Sequence, residues 1–367
     1  MRQQYYMPTR VIMGKDCIKS NPDIFREIGN KVLIVTGASS ARKNGSLDDV
    51  TSVLSSNGQT WTIFDRVPPN PSIACVREGA ALAKKENVDS VIAIGGGSPM
   101  DAAKAINLLA CQDISDDNLF SGQYGTEIMP MIFIPTTAGT GSEVTPYSIL
   151  TNDRAQTKTS LASPILFPKY AFLDAGYMEN MPIDITINTA IDALSHSIEG
   201  MLSKRANPIT NSIAAESIRR ISSCFDALKS GKLTLEQRFE LLYGSTLAGM
   251  VIANTGTTAV HSMGYSLTYF HNVDHGRANG LILPTFLSYI SKYDPGIVGS
   301  ILSIMGYKSV QEFKDVLDGL LGERESLSRE EVEKYAAIAS KSKNASNSIV
   351  IPGMEDLTDI LSVALLK

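Results

Sequence analysis

The sequence predicts a parallel α/β domain followed by an all-helical domain. In the first half, short apolar runs alternate with amphipathic or turn-rich segments, which is the pattern of βαβ units on a parallel sheet. Beyond about Pro182 the strand-like runs largely stop and helical periodicity takes over. The chain has 367 residues, more than one core usually supports, so we expect two domains, residues 1–181 and 182–367.

The predicted elements can be read directly from the apolar residues. The five runs predicted as strands are Val32–Val35, Trp61–Phe64, Val91–Ile94, Met131–Ile134 and Ala171–Leu173. In the second half, apolar residues from Ile187 to Leu202 recur at spacings of three and four, which predicts a packed helix. Strands joined by helices predict a Rossmann-like sheet in the first domain.

The composition excludes several classes of function. A net charge of −5 and a pI near 5.5 leave no basic surface for nucleic acid. The 4 cysteines are scattered without a C-x-x-C spacing, which favours reduced thiols and a cytoplasmic location. We find no signal-peptide pattern and no apolar run long enough to span a membrane, so no membrane partner is expected.

A glycine-rich turn follows the strand-like run Val91–Ile94. The segment Gly95-Gly96-Gly97-Ser98-Pro99 leads directly into a good helix that contains Asp101. Glycines let the backbone approach a bulky anion, and the amides of the following helix favour negative charge. The turn therefore predicts a pyrophosphate site, with Asp101 as a further candidate contact. The alternative is a tight turn that only caps a helix.

A second candidate loop, residues 135–145, follows the strand-like run Met131–Ile134. It is rich in hydroxyl groups and glycine and includes Ser142, so it could bond the phosphates or ribose of a cofactor. The alternative is a loop that satisfies its own backbone. Two such loops at the carboxyl ends of strands favour ligand binding, because open α/β sheets bind ligands there.

The histidines are confined to the second half. Of the 4 in the chain, His196 lies four residues after Asp192 on the predicted helix, so both side chains project from one face. His261 and His275 follow within about 80 residues. Three imidazoles and one carboxylate make a ligand set suited to Fe²⁺ or Zn²⁺. Any one of these histidines taken singly is more often structural.

These motifs together resemble the iron-containing (group III) alcohol dehydrogenases, whose members include lactaldehyde reductases and 1,3-propanediol dehydrogenases. The resemblance runs nearly end to end. Its motifs are Pro8–Gly14, Gly95–Lys104, Pro135–Thr145, Asp192–His196, His261 and His275–Asn279.

The resemblance implies a dinucleotide-binding domain, an all-helical domain, an active site in the cleft between them, and a homodimer. The residues it marks as metal ligands are Asp192, His196, His261 and His275. The residues it marks as cofactor contacts are Gly96, Gly97 and Ser98 at the pyrophosphate, with Thr136, Thr137, Thr140 and Lys158 nearby.

Two positions depart from the family pattern. Many members have another histidine four residues after the third ligand, where this chain has Tyr265, so Tyr265 becomes a candidate for substrate contact or proton relay. Tyr147 stands where some members have a small polar residue lining the substrate site. His271 matches no ligand of the iron enzymes, and we interpret it as a polar or pocket-lining residue.

The end of the first predicted strand bears on the cofactor. An acidic residue near such a strand end binds the ribose 2′-hydroxyl of NAD, whereas a nearby arginine accommodates the 2′-phosphate of NADP. Here Gly37 is followed by Ser39 and Ser40, with Arg42 and Lys43 beyond them. We therefore expect NADP(H) to be preferred over NAD(H), with Gly37, Ser39 and Ser40 as contacts. The alternative is that this basic pair belongs to a solvated loop.

The function predicted from these observations is metal-dependent hydride transfer between NAD(P)(H) and a small alcohol, diol or aldehyde. Two alternatives lie within the class: a zinc enzyme like the glycerol dehydrogenases and a metal-independent relative like the maleylacetate reductases. A third alternative is a non-catalytic nucleotide-binding or sensor protein that keeps the fold.

Overall fold

The computed structural model describes residues 3–154 and 156–367. They form two compact units. The first comprises residues 7–137 and 141–181, and the second comprises residues 138–140 and 182–367 with the described residues before Met7. Across the described ranges, no helix combines the length and apolar character needed to cross a membrane.

The first unit is built on a six-stranded sheet with the order β1-β8-β5-β4-β2-β3, and every neighbouring pair is parallel. A separate antiparallel hairpin joins β6 and β7. The strands are β1 (Arg10–Met13), β2 (Lys31–Thr36), β3 (Thr60–Phe64), β4 (Ser90–Gly95), β5 (Met131–Pro135), β6 (Tyr147–Asn152), β7 (Thr157–Ala162) and β8 (Tyr170–Leu173).

Helices cover both faces of this sheet. Along β2, Leu33 and Val35 join one apolar cluster, whereas Val32 and Ile34 join another. Successive strand residues point to opposite faces, so each central strand contributes to two cores and is apolar throughout. The helices of this unit are α1 (Pro22–Arg26), α2 (Ser40–Lys43), α3 (Ser46–Ser56), α4 (Ile73–Glu86) and α5 (Gly97–Cys111).

The second unit is helical. Its longest helices are α6, where the periodic apolar residues predicted a helix, and α9. The helices are α6 (Ile183–Met201), α7 (Pro208–Ser222), α8 (Phe225–Ser230), α9 (Leu235–Thr255), α10 (Ala259–His271), α11 (His275–Ser291), α12 (Pro295–Met305), α13 (Val310–Leu321), α14 (Arg329–Ser340) and α15 (Met354–Leu365). The predicted fold class, a parallel α/β part followed by a helical part, is confirmed.

Three strands were not predicted. β1 is a four-residue edge strand whose residues are exposed or only partly buried, so it lacks the apolar run of a central strand. The hairpin strands β6 and β7 mix polar residues such as Lys158 and Ser160 with apolar ones. Short, half-exposed strands carry a weak periodic signal, which is why only the buried strands could be recognised.

Candidate active site

Helix α6 carries three buried ionisable side chains on one face. Asp192, His196 and Glu199 follow one another at i, i+4 and i+7, so they project in the same direction along the helix. The neighbouring apolar residues Ile191 and Leu194 are fully buried as well. The helix is therefore packed on more than one side, and its polar face points into the interior of the helical unit.

Two histidines from other helices meet this face. His261 is the third residue of α10, and His275 is the first residue of α11. The Nε2 atoms of His196, His261 and His275 lie 4.0, 3.7 and 3.8 Å from Oδ1 of Asp192. Asp192, His261 and His275 each offer a ligand atom, and these atoms all lie within 4.8 Å of one another.

These four side chains offer the donor types of a divalent transition-metal site, and the mutually close group within it is Asp192, His261 and His275. Two atoms that bind one ion at about 2.1 Å are at most about 4.2 Å apart, so all three Nε2 atoms lie within such a span of Asp192. Burial lowers the pKa of His196, and this favours the neutral imidazole that binds metal. Imidazole and carboxylate ligands suit both iron and zinc.

Glu199 contacts one candidate ligand, His261, on the ring edge that faces away from Asp192. Its carboxylate is completely buried and contacts Nδ1 of His261, the ring nitrogen opposite to Nε2. Burial alone would raise the pKa of Glu199, but the contacts with His261 and Thr258 outweigh it and hold the pKa below its usual range. Glu199 is thus an ionised carboxylate behind a candidate ligand.

Asn279 and Tyr265 flank the same atoms. The Nδ2 group of Asn279 donates to Oδ1 of Asp192 at 3.0 Å and lies 3.2 Å from Nε2 of His261. Gly264 makes room for this amide, since a Cβ at that position would lie 2.2 Å from Oδ1 of Asn279. The ring of Tyr265 stacks on that of His275, with centroids 5.3 Å apart.

His271 lies outside this group. Its Nε2 atom is 2.8 Å from the hydroxyl of Tyr335 and 3.1 Å from Oε1 of Glu331. Both partners lie on α14, so the imidazole of His271 forms part of the contact between α10 and α14. His271 is thus a polar residue in a contact between two helices, which is one of the two roles that the sequence suggested.

The glycine turn of the α/β unit has a constrained geometry. Gly95 has φ +149°, and a Cβ there would lie 2.7 Å from Cγ of Pro99. A Cβ at Gly96 would lie 3.0 Å from Oγ1 of Thr137. Gly97 begins α5, whose first turn has no capping bond from a side chain. The hydroxyl of Ser98 accepts a hydrogen bond from the amide of Asn70 at 3.3 Å. The first amides of α5 are thus available to an anion.

The second loop is attached to this turn. The amide of Thr136 donates to the carbonyl of Gly95 at 2.9 Å. Thr137 packs against Gly96, whereas Thr140 belongs to segment 138–140 of the helical unit. Lys158 lies on β7, and its charge partly opposes the rise that burial causes in the pKa of Asp101.

A buried network fixes the loop against α5. Asp101 accepts bonds from the Ser142 hydroxyl at 2.6 Å and from the amide of Ile149 at 3.1 Å. Lys104 is completely buried and donates to the carbonyls of Ser142 and Tyr147 at 2.8 and 2.7 Å. Burial raises the pKa of Asp101 and lowers that of Lys104 to about 8. Asp101 and Ser142 thus bond to each other.

The end of β2 has an acidic neighbour that the sequence did not reveal. Gly37 follows the strand, and Ser39 and Ser40 are exposed where α2 begins. Arg42 contacts Asp65, which follows β3, at 3.1 Å. No acid follows β2 closely in the sequence, but the fold brings Asp65 to this strand end because β3 is the sheet neighbour of β2.

Sequence reasoning assigned no role to four polar residues of the candidate metal group and the cofactor region. Glu199 could have been found, because it continues the spacing of Asp192 and His196 on one helix face. Asn279 lies four residues after His275, which is also a helical spacing. Lys104 and Asp65 have partners far away in the sequence, so no local pattern indicates them.

Comparisons with known proteins identify the family of this chain. The family described as "Iron-containing alcohol dehydrogenase" matches residues 8–175, and "Fe-containing alcohol dehydrogenase family, C-terminal" matches residues 186–365. The lactaldehyde reductase of Escherichia coli (strain K12) is 34% identical over 299 residues, covering 80% of this chain and 78% of that protein. The 1,3-propanediol dehydrogenase of Klebsiella pneumoniae is 34% identical over 281 residues, covering 76% of this chain and 72% of that protein.

A solved structure extends the similarity to the whole fold. The iron-containing alcohol dehydrogenase of Thermotoga maritima superposes with a TM-score of 0.93 at 38% identity, and the match covers 99% of each chain. The resemblance noted from the sequence motifs is confirmed. This chain therefore belongs to the iron-containing alcohol dehydrogenase family and is an alcohol/aldehyde oxidoreductase.

Proposed function

We propose that this enzyme transfers a hydride between a nicotinamide cofactor and a small alcohol, diol or aldehyde with the help of a divalent ion, Fe²⁺ in preference to Zn²⁺. The proposed ligands are Asp192, His196, His261 and His275. The observation that supports this most directly is the approach of three imidazole Nε2 atoms to within 3.7–4.0 Å of one carboxylate oxygen of Asp192.

The protein side chains would position the reacting groups. When bound, the ion would supply Lewis acidity toward the substrate oxygen. Tyr265 stacks on His275 and replaces the histidine that many relatives have four residues after the third ligand, so we assign its phenol to substrate contact or to relay of the hydroxyl proton. The cofactor would supply the hydride chemistry.

We propose that the cofactor pyrophosphate binds at Gly96, Gly97 and Ser98, against the uncapped start of α5. Further contacts are assigned to Thr136, Thr137, Thr140 and Lys158. The Ser142 hydroxyl is hydrogen-bonded to Asp101, so we assign to this pair the role of fixing the conformation of loop 135–145.

We propose NADP(H) as the preferred cofactor, with Gly37, Ser39 and Ser40 lining the ribose site. The exposed hydroxyls of Ser39 and Ser40, followed within one turn by Arg42, support this preference. Asp65 opposes it, because its carboxylate already pairs with Arg42. The names of the two curated relatives support a short alcohol, diol or aldehyde as substrate. We also propose a cytoplasmic location, from the scattered thiols, and a homodimer, from the resemblance.

A pair of variants tests the two halves of this proposal. His275→Ala should lose metal after dialysis but retain cofactor binding, whereas Gly97→Val should lose cofactor binding but retain metal. Both should lose alcohol-dependent reduction of the cofactor, followed by absorbance. His271→Ala is the matched control, because its imidazole bonds Tyr335 instead of facing Asp192.

The alternatives give different outcomes. Full turnover of the dialysed, metal-free wild type would indicate a metal-independent enzyme. Cofactor binding without turnover of any short alcohol or aldehyde would favour the nucleotide-binding or sensor function. Metal analysis in which zinc but not iron restores activity would favour an enzyme like the glycerol dehydrogenases.

A further inference from the structure

Glu199 is a fully buried carboxylate whose two oxygens have different partners. Oε1 accepts bonds from the amide of Thr258 at 2.8 Å, its hydroxyl at 2.7 Å and the amide of Val260 at 3.1 Å. Oε2 contacts Nδ1 of His261. Glu199 therefore links α6 both to the start of α10 and to the imidazole that α10 presents.

The first of these contacts replaces a local helix cap. Thr258 is the N-cap residue of α10, yet its own side chain makes no capping bond to that helix. Its hydroxyl donates to Glu199 instead. Oε1 of Glu199 accepts hydrogen bonds from first-turn amides that have no acceptor within the helix. Four donors converge on Oε1, because the amide of His261 also lies 3.4 Å from it. This oxygen therefore cannot be exchanged for an NH₂ group without opposing donors to donors.

The second contact has a consequence for the imidazole. The N–H and O–H donors on Oε1 favour the acceptor form of this carboxylate, so the geometry places the proton between Oε2 and His261 on Nδ1. In a neutral imidazole Nε2 is then a lone-pair acceptor, and it is this atom that lies 3.7 Å from Oδ1 of Asp192. A histidine that binds metal commonly donates its other ring N–H to a carboxylate in this way.

We propose that Glu199 is a positioning residue that fixes His261 as the Nδ1–H tautomer and so prepares its Nε2 atom for the metal. This inference rests on the proposed function for the identity of the metal site. The tautomer itself is a property of the metal-free protein, and it can be measured whether or not a metal binds.

Glu199→Gln separates the two roles of the carboxylate. The glutamine carbonyl can still accept the donors from Thr258 and Val260, which leaves the NH₂ group facing Nδ1 of His261. That group donates to Nδ1 and favours the opposite tautomer, with the proton on Nε2. Thr258→Val is the matched control, because it removes one bond from the same carboxylate and weakens the same helix start while leaving the carboxylate in place.

The first measurement is the tautomer of His261 in the metal-free protein, from long-range ¹⁵N–¹H correlations of histidine-labelled samples. We expect Nδ1–H in the wild type and in Thr258→Val, and Nε2–H in Glu199→Gln. An Nε2–H tautomer in the wild type would overturn the proposal without any variant. The same tautomer in wild type and in a folded Glu199→Gln protein would also overturn it.

The second measurement is the dissociation constant of Fe²⁺ or Zn²⁺, from competition with a chelator. Glu199→Gln should raise this constant by about 10- to 100-fold, with little change in Thr258→Val. An equal loss of metal affinity in both variants would show that Glu199 acts only as a helix cap, and it would overturn the proposal. If the wild type binds no metal, the proposed function fails, but the tautomer measurement still decides the role of Glu199.

Discussion

The carbonyl oxygen of Asn188 lies where a side chain at Gly276 would project, so that a Cβ at Gly276 would be 1.8 Å from this oxygen. The same Cβ would lie 2.8 Å from Cβ of Asp192. Both obstacles belong to α6, a buried helix whose backbone cannot shift freely. Glycine at this position therefore allows the start of α11, with His275, to approach Asp192.

Gly276→Ala should push α11 away from α6 and separate His275 from Asp192. We expect the affinity for metal to fall at least about tenfold, together with a loss of stability of roughly 1–3 kcal/mol from overpacking. Metal content after dialysis and the unfolding midpoint measure the two effects. Gly299→Ala is the control, because Gly299 lies in α12 with nothing within 4 Å of its Cβ position. Unchanged metal affinity in Gly276→Ala would contradict this account of the approach.

The buried amine of Lys104 should make stability depend on pH in a defined direction. Burial lowers its pKa to about 8 in the folded protein, below the ordinary value of 10.5 that applies on unfolding. Between these values the unfolded chain binds a proton that the folded protein lacks, so the free energy of unfolding rises with pH. Lys104→Met lacks this contribution. The stability advantage of wild type over the variant should grow by roughly 2 kcal/mol from about pH 7.5 to about pH 9.5.

Urea unfolding of both proteins at the two pH values tests this. The pH dependence common to all other groups cancels in the difference between wild type and variant. Lys84→Met, which removes an exposed lysine of α4, should show no such change. A difference that is constant or shrinks with pH would mean that Lys104 keeps its proton in the folded protein over this range.

The features that could be predicted from the sequence have a local signal. Buried strands such as β4 are apolar on both faces, and Asp192 and His196 show a helical spacing that needs no knowledge of the fold. The pairing of Arg42 with Asp65 could not be predicted, because it depends on β3 lying beside β2. The Lys104 network likewise joins residues about 40 positions apart, through a hairpin that has no strong periodic pattern.

Tyr265 should act through its hydroxyl group. Tyr265→Phe keeps the ring that stacks on His275 but removes the phenol, so metal content should not change. If the phenol contacts substrate or relays its proton, kcat should fall at least about tenfold. Tyr269→Phe, one turn further along α10, serves as control because its ring packs on Phe270. An unchanged kcat and KM in Tyr265→Phe would assign the proton to another route, such as water or the ribose hydroxyl.

The choice between NADP and NAD depends on a balance of charges at the end of β2. Arg42 is exposed and could accept a 2′-phosphate, but its side chain contacts Asp65 at 3.1 Å. A phosphate that binds Arg42 must therefore compete with this carboxylate. Asp65→Asn removes the competitor and should raise kcat/KM for NADP relative to NAD.

Ser39→Asp should shift the preference in the opposite direction. Ser39 is exposed at the start of α2, and a carboxylate there would repel a 2′-phosphate while accepting a bond from a free 2′-hydroxyl. Such a like-charge contact can cost several kcal/mol when it is desolvated, so the ratio of kcat/KM for NADP to that for NAD should fall at least about tenfold. Ser52→Asp, on the exposed side of α3, adds the same charge away from this strand end and should leave the ratio unchanged. A wild type that already favours NAD, or a Ser39→Asp ratio equal to that of the control, would show that this strand end does not select NADP.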